Sequence, residues 1–301
     1  MHLEGVRTGT QEGDPASPVA LVLGLGALSG PGMSPELLRQ GPPAEYLRLG
    51  PGEESSGLAA DLRGESGIEP LWETGVEGLE AAREALLGRL NSSPLVMVLG
   101  DPGDPFVREQ VDWLGEVLPN TRVRRALWVQ PPSQPGSLAG RFPGPVLEAW
   151  PGRKEPESGA EASTFLAGAL RALLRSVTDP GFIGVDPADL AVSWAGALGV
   201  FSEGTGTGPG RAGQAVRTAF EQGVEAGALH GGSLLTGAVV QIRFSPEVEV
   251  FEIEEAMEAF RECMEPWIRE EPPFVVGAPM EEGDQDPERL AVEMVTFWYG
   301  A

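Results

Sequence analysis

Asp186 and Asp189 lie three residues apart in the stretch Ser176-Val-Thr-Asp-Pro-Gly-Phe-Ile-Gly-Val-Asp-Pro-Ala-Asp-Leu190. On a helical turn that spacing puts both carboxylates on one side, an arrangement suited to acid–base work on a water molecule. A structural role fits the same residues: Asp186 followed by Pro187 makes a good helix N-cap and N1 pair, and an acid at N3 is favoured by the helix dipole. A second candidate is the glycine-bearing turn Gly24-Leu-Gly-Ala-Leu-Ser-Gly-Pro-Gly32, with Ser34 and Pro35 placed to open a helix behind it. Gly24 and Gly26 would let the backbone approach a phosphate there, or would simply serve a tight strand-to-helix turn. His2 and His230 are isolated, and Cys263 has no Cys or His cluster near it, so neither a zinc site nor a nucleophilic triad is expected.

Bulk properties narrow the partners. The chain has 301 residues, 41% of them hydrophobic, enough for one large domain or two moderate ones with a substantial core. Its formal charge of −24 repels phosphate backbones and anionic lipid, so nucleic-acid or direct membrane binding would need a basic patch. Lys154 is the only lysine, and Arg122, Arg124 and Arg125 form the densest arginine group. One cysteine cannot form an internal disulfide, and no apolar run approaches the roughly 20 residues of a membrane-spanning helix. Residues 1–17 read as a flexible polar tail without the apolar core of a secretory signal, so the expected location is the cytoplasm.

The elements that would position these residues follow from apolar periodicity. Runs bounded by Gly and Pro predict strands at Val19–Leu25, Leu95–Leu99 and Val123–Val129, with a helix at Glu77–Leu90 between the first two. Apolar strands alternating with helices argue for a largely parallel sheet covered on both faces. A short strand is expected near Val146–Trp150. Next comes a long helix whose stripe is Phe165, Leu166, Ala169, Leu170, Leu173, Leu174 and Val177, ending at Asp179 before Pro180. The remainder predicts a strand at Val192–Phe201, a helix at Gly210–Gln222 and the alternating strand Ala238, Val240, Ile242, Phe244. A helix striped by Ile253, Met257, Phe260 and Met264 and strands at Phe274–Ala278 and Leu290–Tyr299 complete an α+β layer pair. Trp267, Trp298 and Tyr299 are expected to pack within it.

The segment Ser176–Leu190 resembles the end of the central helix and the following acidic loop of bacterial FtsZ, where a Pro-Gly turn runs into an Asn-x-Asp-x-x-Asp motif. The resemblance continues through Gly204–Ala212, Thr236–Phe244, Glu252–Met264 and Leu290–Tyr299. Before the central helix it is a matching order of elements, with Gly24 and Gly26 where the family's first glycine-rich loop lies. The chain is thus identified as a divergent member of the FtsZ/tubulin superfamily. The resemblance implies an α/β fold: a Rossmann-like parallel-sheet N-terminal domain over 18–160, a long central helix over 161–180 and a smaller α+β C-terminal domain over 181–301.

It also implies head-to-tail filaments in which Asp186 and Asp189 polarise water and help hold the cation at a neighbouring subunit's nucleotide, GTP or GDP with Mg²⁺. Gly184 stands where the family has Asn. After Leu99 the family carries Gly-Gly-Gly-Thr-Gly-Thr-Gly, whose amides cradle the phosphates, and this chain has Gly100-Asp-Pro-Gly-Asp-Pro-Phe106. Pro102 and Pro105 remove two backbone donors and Asp101 and Asp104 add negative charge, so the loops built on Gly24, Gly26, Gly100 and Gly103 are expected to bind GTP weakly or not at all. Asp104-Pro105 also reads as an N-cap and N1 pair. Gly204-Thr-Gly-Thr-Gly208 has the letters of the missing signature, but its place corresponds to a glycine-rich turn between a second-domain strand and helix, and Gly204–Gly210 is expected to be that turn.

The expected function is therefore a filament-associated cytoskeletal protein that pairs with itself or with a conventional FtsZ. A GTPase forming its own dynamic filament and a non-polymerising binding module are the alternatives. The sequence reaches Ala301 straight after the last strand, so recruitment through the flexible linker and terminal peptide of FtsZ is not expected.

Overall fold

The computed structural model describes residues 2–7, 20–25, 45–50, 69–70, 76–93, 95–100, 103–123, 125–130, 146–148, 168–170, 172–175, 183, 185–194, 198–229, 232–243, 249–270, 272–278 and 288–300. The chain forms two compact units, Met1–Val146 and Leu147–Ala301. The division falls before residue 160, where the sequence ends the first domain, and the central helix lies in the second unit.

In the first unit the strands are β1 (His2–Arg7), β2 (Ala20–Leu25), β3 (Glu45–Gly50), β4 (Glu69–Pro70), β5 (Leu95–Leu99) and β6 (Arg125–Gln130). The helices are α1 (Val76–Leu90) and α2 (Pro105–Val117). β2 lies between β3 and β5, and β5 pairs with β6, all parallel. β1 runs antiparallel to β3 and β4 antiparallel to β1. Residues 2–7, inside the expected flexible tail, are thus a strand held by main-chain pairing with β3.

The near-continuous apolar runs of β2 and β5 make sense in this setting. Leu21, Leu23, Val96 and Val98 pack with Leu86 and Leu90 of α1 and with Val107, Val111 and Leu114 of α2. The alternate residues Val22, Leu95 and Met97 are fully buried as well, as a sheet apolar on both faces requires.

A short strand, β7 (Val146–Glu148), spans the division. In the second unit the central helix includes residues 168–170 and 172–175, where Ala169, Leu170, Leu173 and Leu174 are buried; its expected end at Asp179 lies outside the described residues. Then come α3 (Pro187–Ser193), β8 (Leu198–Thr207), α4 (Arg211–Leu229), β9 (Gly232–Arg243), α5 (Val250–Met264), β10 (Phe274–Gly277) and β11 (Arg289–Gly300). β11 is central, antiparallel to β8 and β9, and β10 adds to β9 in parallel. One face of this sheet packs on α4 and α5 through Val200, Ala238, Val240, Ile242, Val292 and Met294. On the other face Gly168 of the central helix lies over the Phe201 ring, and Gly237 of β9 sits against the Ser193 carbonyl of α3. Trp298 is buried and meets Trp267 edge-on at 5.8 Å, whereas Tyr299 is exposed.

Two expectations are corrected. Val192–Phe201 is not one strand: the Asp186 cap and Pro187 start a helix that carries on to Ser193, and β8 begins only at Leu198. Val192 points outward from that helix at 55% exposure, so its β-propensity is overridden by the cap. Nor is Gly204–Gly210 one flexible turn. Gly204 and Gly206 lie within β8, where α4 presses on the strand so closely that a Cβ would collide with the Ala215 and Arg211 carbonyls. Only Gly208–Gly210 turn the chain, with Gly208 and Gly210 at φ 68° and 77°, values that suit glycine.

Candidate functional site

In the first unit the candidate phosphate-binding positions follow the C-terminal ends of β2 and β5. Gly24 does not belong to a loop: it is a buried residue of β2, laddered to Arg48 on one side and Leu99 on the other. Gly26 lies outside the described residues, as do Asp101 and Pro102. Gly100 is buried, and its N–H donates to the Val129 carbonyl at 3.3 Å, so the amide that a phosphate would need is spent on the sheet. A Cβ there would fall 2.8 Å from Val107 Cγ1 and 2.9 Å from the Trp128 ring. The missing side chain of Gly100 makes room for protein rather than ligand.

Gly103 is exposed in the turn that leads into α2. Asp104 caps that helix, its Oδ1 accepting the Phe106 N–H at 2.8 Å, and Pro105 sits at N1. A helix N-terminus attracts anions through its free N–H groups and dipole. Here one donor is removed by proline, another is occupied by Asp104, and the capping carboxylate is itself an anion at that end. These residues do not fit a polyphosphate.

The second unit holds the acidic pair. Asp186 is the N-cap of α3, accepting the Ala188 N–H at 2.6 Å, while its carbonyl receives the Asp189 and Leu190 N–H groups at 3.0 and 3.1 Å. Both aspartates are exposed, and the Asp189 carboxylate has no hydrogen-bond or ion-pair partner among the described residues. The two roles read from the sequence therefore divide: Asp186 is committed to the cap, and Asp189 is the carboxylate free to meet an external water or group. Exposed Ile183 and Val192 flank the pair, giving the surface apolar as well as acidic character. Gly184 is outside the described residues.

Sequence reasoning missed two ionic contacts of the second unit. Arg211, at the start of α4, places Nε 2.6 Å from Glu252 Oε1 and its second nitrogen 3.0 Å from Oε2. The Arg211 hydrogen bond holds the Glu252 carboxyl below its usual range against the opposing pull of burial. Glu252 also accepts the Glu249 N–H at 3.1 Å, closing a capping box on α5. The only hint in the sequence was an arginine at a helix start, where the dipole disfavours it. Arg243 similarly pairs with the buried Glu293 at 3.0 Å from the neighbouring strand. Among the described residues no group of three or more His, Cys, Asp or Glu is arranged to hold a metal ion, and no helix is long and apolar enough to cross a membrane.

Comparison of the whole chain with solved structures finds 424 matching chains, among them three similar molecules. A tryptophan-to-tyrosine mutant of FtsZ from M. jannaschii matches with a TM-score of 0.69 at 15% identity, over 94% of this chain and 92% of that one. The fold is FtsZ/tubulin-like. An empty FtsZ dimer from M. jannaschii matches at 0.68 and 15% identity, over 94% of this chain and 89% of that one. CetZ2 from Haloferax volcanii, in a GTPγS-bound protofilament, matches at 0.57 and 14% identity, over 93% and 92%. No family model and no curated protein matches the sequence. The FtsZ/tubulin-like fold thus spans nearly the whole chain while few of its residues coincide with those of its structural neighbours.

Proposed function

We propose that this chain is a divergent FtsZ-like cytoskeletal protein that associates head-to-tail with copies of itself or with a conventional FtsZ, and whose own GTP binding is weakened or lost. The observation that carries the second half is the commitment of Gly100: its N–H is bonded to Val129 and its open side is filled by Val107 and Trp128. The Asp104 cap on the following helix supports the same reading. The first half draws on the fold shared with an FtsZ dimer and a CetZ2 protofilament, and on the exposed acidic and apolar surface around Asp186 and Asp189.

A working GTPase is the second reading, favoured by the exposed Asp189 carboxylate, which has no partner among the described residues and could act at a neighbouring subunit. Calorimetry with GTP and Mg²⁺ separates the two. The proposal expects no binding at sub-millimolar concentrations, and a sub-millimolar dissociation constant overturns it. Sedimentation of the chain, alone and mixed with a conventional FtsZ, with and without GTP, tests assembly. Pelleting in either setting is expected; none in any condition removes both filament readings and leaves a binding module on the same fold.

A further inference from the structure

We draw no further inference here: the strongest candidate, the buried Gln241 amide of β9, which lies over Gly277 of β10 without a hydrogen-bond partner among the described residues on the sheet face away from α4 and α5, carries nothing because a ligand site on that face restates an established property of the FtsZ family.

Discussion

At the scale of single residues the two aspartates of the acidic loop make separable contributions. Asp186 caps α3 through a 2.6 Å bond to the Ala188 amide, and removing an N-cap oxygen costs about 1 kcal/mol. Asp186→Ala should therefore lower the unfolding free energy measured by urea titration by that much, and Asp189→Ala, which gives up only a dipole interaction, by a few tenths of a kcal/mol. Equal destabilisation would show that Asp189 is also structural. The capping role was legible in the sequence, because capping depends on residues within one turn of each other. The assignment of the cap to Asp186 and of the N3 position to Asp189 is as the sequence reads it.

At the scale of elements the second unit is tied together by contacts that cross long stretches of chain. The Arg211–Glu252 pair joins the first turn of α4 to the first turn of α5, and its pH behaviour follows from the shift. A carboxyl held below its usual 4.5 stabilises the fold above that value, and the contribution is lost as pH falls through the lowered folded value. Replacing Glu252 by Gln should cost about 2 kcal/mol at pH 7, with the two proteins converging in strongly acid solution. A constant difference down to the acid transition would show that packing, not charge, carries the contact. Element positions were largely legible, since apolar periodicity marks helices and strands directly. The errors came where packing outweighs it: Gly204 and Gly206 look like turn residues, yet they are the strand positions over which α4 passes.

At the scale of the whole molecule charge dominates. A chain at −24 repels itself in every compact state, and screening that repulsion should favour the folded form. Raising sodium chloride from 0.05 to 0.5 M should therefore raise the melting temperature, in spite of the weakened surface ion pairs. A fall in melting temperature would mean that specific pairs such as Arg211–Glu252 outweigh the general repulsion. The FtsZ/tubulin-like fold was legible from the acidic loop and the order of elements even though identity to its structural neighbours is only about 15%. A fold of this kind needs apolar residues at the right period far more than particular side chains.

The sequence by itself determined many of the strands and helices, the Asp104 and Asp186 caps and the acidity of the surface, because each depends on residues within a few positions or on a sum over the chain. Only the tertiary structure decided what Gly100 is for. Its amide meets Val129 and its open side meets Trp128, residues 29 and 28 positions away, and β5 and β6 must pair before either contact exists. The same holds for the contact of Arg211 with Glu252, which forms only when α4 and α5 pack side by side on one face of the second sheet.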